Sequence, residues 1–503
     1  MAGTGERRAA ANTFGGTLGE RRRQPIDMRS PRFTTQLTAT VVATYLLFAL
    51  GAMTAAASGA TPLAWGHYVA AAAGWLLVAV TAVRSWLGGH DRWVTVGLAG
   101  GTLLYLGQGT AGLVGRIGGA SDVGEFHLLG AVLVFATLLL SLVRHLDREV
   151  AASDGAGAEA VAGIDDEPFE GDRGGKSVDG LDGDGVESPE RSGSGERVRD
   201  RVRAYAALTK PRLMWLLCLL ALAGMALARI AAPTSGGGGA AAGAATANVT
   251  LHGITVVATL AGGVLAIGAS GTFNHVFEHD RDRRMDRTAD RPVATARVPV
   301  RRAAAFGVAL AALSLVVLWT YATPLATLLT AAAIVYYSVV YTVVLKPNTR
   351  WNTAIGGGSG ALPALIGWAA VTGSIGIPAI VLTALVVAWT PAHFYNLAIA
   401  YREDYAAGGY PMLPVVAGVS TTRRRTCYWL GGTLVATVLL GVVADLGVLY
   451  AVVTTVAAAV FLRSIVRQYE RGTDRAAYRT FHASNAYLGA VLAAVLLEAL
   501  LVG

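Results

Sequence analysis

The stretch NHVFEHDRDRRMDRTADRP, from Asn274 to Pro292, closes a charge-poor run that begins near His252. A run of that length crosses about 30 Å of hydrocarbon at about 1.5 Å per residue, and here it turns abruptly into a loop crowded with acids and arginines. Asn274, Glu278 and Asp282 stand at i, i+4 and i+8. At about 100° per residue each four-residue step drifts only about 40°, so an amide and two carboxylates share one stripe at the end of a membrane helix. Asp286 continues that stripe where the helix frays. Asp280 lies about 240° from Asn274 and joins it only if the helix unwinds.

Outward from this stretch, similar charge-poor runs fill most of the chain. Thirteen begin near Phe33, Trp65, Val94, Glu125, Leu213, His252, Arg302, Pro324, Thr353, Ile375, Thr426, Leu446 and Ser484. With 53% hydrophobic and 15% charged residues over 503 positions, and a mean hydropathy of +0.50, the chain reads as an all-α polytopic membrane protein. A single-domain cytosolic enzyme is excluded. Of 41 Lys and Arg, only Arg116 and Arg229 fall near the face opposite the N-terminus. The positive-inside distribution therefore places the N-terminus and the basic loops in the cytoplasm of a cell membrane, and thirteen crossings leave the C-terminus outside. The first run follows an Arg-rich arm, yet at about 25 residues with further spans behind it, it reads as an anchor and not a cleaved signal peptide. Cys218 and Cys427 are far apart, which argues against a disulfide or a cysteine metal site.

Between Asp154 and Glu196 the chain carries thirteen Asp or Glu against three Lys or Arg, with many Gly and Ser. That composition predicts a disordered linker. The chain then divides into a basic arm (1–32), a four-span module (33–147), an acidic linker (148–204) and a nine-span module (205–503). Because the linker holds so much of the acid, the membrane portion is more basic than the overall +8. Its loops would attract anionic lipid or a phosphorylated substrate. Nucleic acid is not expected, since the basic residues are scattered over span ends and form no recognised binding motif.

Ionised carboxylates among Arg281, Arg283, Arg284, Arg287 and Arg291 suit a divalent cation and a polyanion together. Hard oxygen ligands favour Mg2+, which binds through one or two carboxylates plus substrate phosphates. The same spacing also suits a solvated loop that merely obeys the positive-inside distribution. Two more segments at the same face favour a diphosphate site. HFYNLAIAYREDYAAGGYPMLPVV (His393 to Val416) brings Arg402, Glu403, Asp404 and Tyr405, and YTVVLKPNTRWN (Tyr341 to Asn352) brings Arg350 and Lys346. Lys346 is a point charge suited to a departing diphosphate.

These segments occur with Leu208-Thr209-Lys210-Pro211-Arg212, with the Gly-rich run through Ala361-Leu362-Pro363 to Gly367-Trp368, and with Pro411-Met412-Leu413-Pro414 after Asp404-Tyr405. Together they resemble the intramembrane UbiA prenyltransferase superfamily and, within it, the protohaem IX farnesyltransferase (haem O synthase) branch, over all of 205–503. The resemblance implies nine helices around a central cavity. It implies a first acidic motif on Asn274, Glu278 and Asp282, with Glu278 where the family usually has Asp. The second motif is reduced here to Asp404, flanked by Ala400 and Gly408 four residues away on either side. Mg2+ would be held by Asn274, Glu278, Asp282 and Asp404, with Asp280 and Glu403 as further ligand candidates. The diphosphate would meet Lys210, Arg212, Arg287, Arg291, Arg350 and Arg402, and Lys346 would complete the catalytic set. The implied reaction transfers the farnesyl group of farnesyl diphosphate to a vinyl group of haem b, with water addition, to give haem O. A haem A synthase or a terminal oxidase assembly is the implied consumer. One alternative keeps the fold and takes an aromatic or lipid acceptor. Another is a haem-binding or haem-transport protein, which leaves the acidic stripe unexplained. His275, His279 and His393 stay open between haem or proton chemistry and interfacial packing.

In the small module, His67 starts the second span and His127 the fourth, both entering from the outer face. Two imidazoles at one depth of a four-helix bundle can ligate one haem b iron axially. Gln108 and Arg116 fall near the same level, and Gly109, Gly112 and Gly115 permit close helix approach. The stretch 60–145 is similar to one half of the haem A synthase family, in Gln108 to Gly112 and His127 to Gly130. Ala64 stands where some relatives carry a carboxylate, which argues against oxidative chemistry in this half alone. A purely structural bundle is the alternative.

Overall fold

A computed structural model describes residues 30–56, 61–118, 122–162, 194–231 and 251–502, and among these residues it contains helices and no strand. The small module is α1 (Pro31–Ala56), α2 (Thr61–Leu87), α3 (Arg92–Gly118) and α4 (Asp122–Ala162). After α5 (Ser194–Leu208) and a 3-10 turn (Pro211–Leu213) come α6 (Met214–Ile230), α7 (Gly253–Asp282), α8 (Val300–Tyr321) and α9 (Pro324–Val335). A π-helical stretch (Tyr336–Leu345) leads into the short α10 (Lys346–Asn348). It is followed by α11 (Asn352–Thr372), α12 (Ile377–Ala400), α13 (Arg402–Ala407), α14 (Leu413–Val443), α15 (Val448–Arg471) and α16 (Asp474–Val502).

Twelve of these helices are long and apolar enough to cross a membrane, one fewer than the sequence led us to expect. The difference is α3. At 27 residues it matches its neighbours in length and packs along α2 and α4, but glycines and Gln108 dilute its apolar character. Two helices begin well before their apolar runs: α14 at Leu413 and not near Thr426, and α16 at Asp474 and not near Ser484.

The acidic segment is shorter than the expected 148–204 linker. The Pro-free stretch after Glu149 prolongs α4 to Ala162, and the segment ends in helix again from Ser194. Alanine-rich sequence without proline continues a helix readily, whatever its charge. The arm over 1–29 and residues 163–193 lie outside the described residues.

The two modules pack together and are not merely tethered. One apolar core runs from Leu37, Phe135 and Leu138 in the small module to Leu434, Phe461 and Leu462 in the large one. Helix α1 packs on α14 and α15, and α4 on α14. Polar contacts cross the same seam: the Tyr469 hydroxyl donates to Asp147 at 3.2 Å, and Arg424 comes within 4.0 Å of that carboxylate.

In the large module, α6 and α11 cross so closely that each uses a glycine as the seat for the other's backbone. A Cβ on Gly224 would overlap the Ala364 carbonyl, and one on Gly367 would overlap the Ala221 carbonyl. Membrane helices lack a hydrophobic force to join them, so small residues that admit close van der Waals contact fix such crossings. This crossing holds one wall of the cavity described next.

Candidate active site

Helix α7 stays regular through Asp282, so the four-residue spacing of its polar positions is realised as one buried stripe. Asn274 is 2% exposed, Glu278 3% and Asp282 2%. The facing element repeats the spacing: Thr342 and Lys346 at the end of the π-helical stretch meet Asn274 and Glu278. The Asn274 amide donates to the Thr342 hydroxyl at 3.3 Å, and the Lys346 ammonium donates to Glu278 Oε1 at 2.6 Å. The third rung comes from the loop. Arg291 donates to both oxygens of Asp282, at 2.8 and 2.9 Å, and lies 3.9 Å from Glu278. Lys210 completes the set by donating to the Asn274 side-chain oxygen. Each polar group of the stripe is thus matched by one cation in a buried setting, where charge left alone is expensive.

Lys210 reaches Asn274 from the junction of α5 and the 3-10 turn, where its backbone is left-handed (φ 53°). Gly271 on α7 lets that junction approach, since a Cβ there would sit 3.0 Å from the Leu208 carbonyl oxygen. Burial, and then the positive charge of Arg291, push the Lys210 ammonium down to about 7. Its cation is penalised in the folded protein, so it is protonated below about pH 7 and neutral above.

Beyond Lys210 an apolar cavity opens between α6, α7, α9 and α11, lined by Leu217, Ala266, Ile267, Ile334, Tyr337 and Pro363 among others. A charged stripe at one end and an apolar chamber behind it suit an amphiphile with an anionic head and a hydrocarbon tail.

Other expected site residues lie elsewhere. Asp404 accepts from the backbone N–H groups of Asp286 and Arg287, at 3.1 and 3.2 Å, so both its oxygens hold the loop after α7. Asp280 faces away, with Arg283 at 3.0 Å and His279 at 3.4 Å, because α7 does not unwind at that point. Asp286, beyond the end of α7, is exposed. Glu403 is exposed beside Arg402, which is tied to Asp474 at the start of α16. Arg287 lies over the rings of Tyr401 and Tyr405, at 5.3 and 5.6 Å, and Arg350 over Trp351. Arg212 is exposed on the 3-10 turn. Of the histidines, His393 is stacked between Trp389 and Phe481 and bonded to Ser484 at 2.7 Å, which marks it as core packing. His279 bonds back to the Val276 carbonyl. His275 is buried with Nδ1 unpartnered.

Two groups escaped the sequence reading. Thr342 anchors Asn274. Tyr410 lies beneath Lys346, 4.4 Å from ring centre to ammonium, and Arg281 covers the same ring at 5.0 Å. The Tyr410 hydroxyl and Arg281 Nη1 are buried without a hydrogen bond of ordinary geometry. The proline-flanked Tyr410-Pro411 pair was the available signal for a fixed side chain there.

In the small module, each histidine ring rests on a glycine of another helix: His67 on Gly51 of α1, and His127 on Gly112 of α3. The two imidazoles are electrostatic neighbours. His127 Nδ1 bonds the Gln108 carbonyl at 2.8 Å, and His67 Nδ1 is buried without a partner. The Arg116 side chain lies outside the described residues.

The UbiA prenyltransferase family matches residues 231–488. Protohaem IX farnesyltransferase 2 of Natronomonas pharaonis is 52% identical over 94% of this chain and 100% of its own. The protohaem IX farnesyltransferase of Haloarcula marismortui is 45% identical over 94% of this chain and 99% of its own. A shorter relative, protohaem IX farnesyltransferase 1 of Saccharopolyspora erythraea, is 38% identical over 60% of this chain and 91% of its own. Among solved structures, a digeranylgeranylglyceryl phosphate synthase study supplies a chain with TM-score 0.48 and 13% identity, covering 60% of this chain and 99% of that one. The chain belongs to the UbiA prenyltransferase family, in the branch of the protohaem IX farnesyltransferases. It is a multi-pass membrane transferase of prenyl groups. The 471 matched residues of the Natronomonas relative exceed the length of the nine-span module, so that match runs through the small module as well.

Proposed function

We propose that this enzyme makes haem O from haem b by moving the farnesyl group of farnesyl diphosphate onto a haem vinyl carbon, with water completing the product. The observation that carries the assignment of residues is the buried Asn274–Glu278–Asp282 stripe, its three cations, and the apolar cavity behind Lys210. The hard oxygens of Asn274, Glu278 and Asp282 fit Mg2+, which binds such sites through few protein ligands plus phosphate oxygens. The buried Tyr410 hydroxyl and the unpartnered Arg281 Nη1 beside them fit the accompanying anion. When bound, Mg2+ would supply electrostatic stabilisation of the departing diphosphate. Lys346, Lys210 and Arg291 do the same from the protein side, as donors within reach of the charge that develops on the leaving group. The apolar cavity holds the prenyl tail and keeps water from the allylic cation until the new carbon–carbon bond forms. Asp404 acts through the loop it holds. The N-terminus and the catalytic loops are assigned to the cytoplasmic side of the cell membrane, in keeping with their arginines, and a terminal oxidase assembly or a haem A synthase would take the product.

The test is mass spectrometry of haems extracted from membranes that contain the protein and receive haem b and farnesyl diphosphate. The expected product is haem heavier by one farnesyl group and one water. Unmodified haem b alone, from well-folded protein, would move the assignment to another acceptor.

The charge state of Lys210 gives a pH prediction. Diphosphate supplies the opposite charge and draws the depressed ammonium pKa back up, so binding above about pH 7 takes up a proton. Pyrophosphate affinity is therefore expected to fall roughly tenfold between about pH 7 and 9 relative to Lys210→Arg, whose guanidinium stays charged. Parallel profiles for the two proteins would remove Lys210 from the diphosphate site.

We further propose that His67 and His127 hold a haem b in the small module. The two glycine seats and the His127–Gln108 bond, which fixes one tautomer and leaves Nε2 for a ligand, support it. Purified protein is expected to show a bis-histidine haem absorption spectrum that His67→Ala loses. An unchanged spectrum in that variant would place the haem elsewhere.

A further inference from the structure

The groups that would bind metal are the same groups that the basic side chains occupy. Lys210 holds Asn274, Lys346 holds Glu278 at 2.6 Å, and Arg291 spans both oxygens of Asp282. Among the described residues no three His, Cys, Asp or Glu side chains gather in a group that could hold a metal ion by itself. A divalent cation arriving alone would have to displace buried ammonium and guanidinium groups and leave them unpaired, which is strongly unfavourable. A diphosphate removes that obstacle, because its oxygens offer those cations an equal partner within reach of their long side chains. Two donors already stand ready beside the stripe. Both are buried: Arg281 Nη1 has no hydrogen-bond partner, and Tyr410, 2% exposed, faces Glu278.

We propose that Lys210, Lys346 and Arg291 lock the acidic stripe in the substrate-free enzyme, so that a divalent cation enters only together with a diphosphate, which Arg281 and Tyr410 catch first. The inference rests on the stripe being the metal site. Its consequence is an order of events: the cations swing from carboxylate to phosphate oxygen, and the vacated carboxylates then face the metal. Metal without prenyl diphosphate leaves the site shut, and free acidic side chains never face the membrane interior.

The test uses the full chain in lipid nanodiscs, with Mn2+ and inorganic pyrophosphate as probes and equilibrium dialysis to count protein-bound Mn2+. Binding is taken above that of Glu278→Gln, which retains the acidic 154–196 segment and its nonspecific metal. The wild type is expected to bind Mn2+ at least tenfold more tightly with pyrophosphate than without. Lys346→Met, which frees Glu278, should bind Mn2+ alone about tenfold more tightly than the wild type. Lys210→Met tests the same point at Asn274 should the first variant not fold. Tyr410→Phe and Arg281→Met should raise the pyrophosphate concentration needed for Mn2+ uptake about tenfold and leave binding of Mn2+ alone unchanged. Equal Mn2+ affinity of the wild type with and without pyrophosphate would overturn the lock while leaving the metal site in place. No specific Mn2+ even with pyrophosphate would overturn the metal site itself, and the lock with it.

Discussion

Asp282→Asn is expected to lower farnesyl transfer by about a thousandfold or more while the protein keeps its fold, a loss of about 4 kcal/mol of transition-state stabilisation. Asp282 is the last residue of α7 and 2% exposed, and both its oxygens accept from Arg291. Asparagine fills the same space and still accepts one hydrogen bond. It cannot supply the negative charge that a divalent cation needs or that balances Arg291 between turnovers. The fold survives because Arg291 retains Glu278 at 3.9 Å and the loop retains Asp404. The measurement is the rate of formation of farnesylated haem in membranes, per folded protein. Asp280→Asn is the control two residues away, on the far side of the helix: its carboxylate is 68% exposed and paired with Arg283, and its rate should stay within about twofold of the wild type, as for ordinary surface sites. Equal losses at the two positions would show that general loop charge, and not the stripe, drives catalysis.

How far this site could be read from sequence depends on which force placed each residue. The stripe was legible because helical periodicity alone sets it, and α7 stays regular to its end. Lys210, Lys346 and Arg291 were legible as cations but not as partners of particular acids, since their pairing depends on how the π-helical stretch and the loop fold back on α7. Asp404 was expected as a metal ligand from the family resemblance. Its actual partners are two backbone N–H groups that exist as unsatisfied donors only once α7 has ended. Thr342 carried no signal, because a threonine near a membrane surface is common, and Tyr410 carried only the proline that follows it. The seam between the modules was illegible for a related reason: Leu, Ala and Phe facing lipid and facing another helix are the same residues. A thirteenth span was expected because α3 has the length, and its glycines bring it below the hydropathy of its neighbours while tertiary packing still keeps it helical.

The cavity makes opposite demands of two glycines on α11, and substitution should separate them. Gly367 is expected to tolerate no side chain. A Cβ there would strike the Ala221 backbone carbonyl, which cannot rotate away, and Gly224 already brings the reciprocal contact to its limit. Gly367→Leu must push α6 from α11, and overpacking costs of about 1–3 kcal/mol at ordinary core sites become larger where the clash is with backbone. We expect no folded protein, or a thermal midpoint in detergent lowered by about 10 °C or more. Gly360, two turns earlier, lines the cavity and a Cβ there would meet nothing within 4 Å. Gly360→Phe should therefore fold with a nearly unchanged midpoint, fill the space meant for the prenyl chain, and lower transfer about a hundredfold, or about 2.7 kcal/mol. Because the diphosphate site is untouched in that variant, pyrophosphate should still bind as in the wild type. Normal transfer by Gly360→Phe would mean that the prenyl tail lies outside this cavity. Normal folding by Gly367→Leu would mean that α6 and α11 are not held as closely as their backbones stand here.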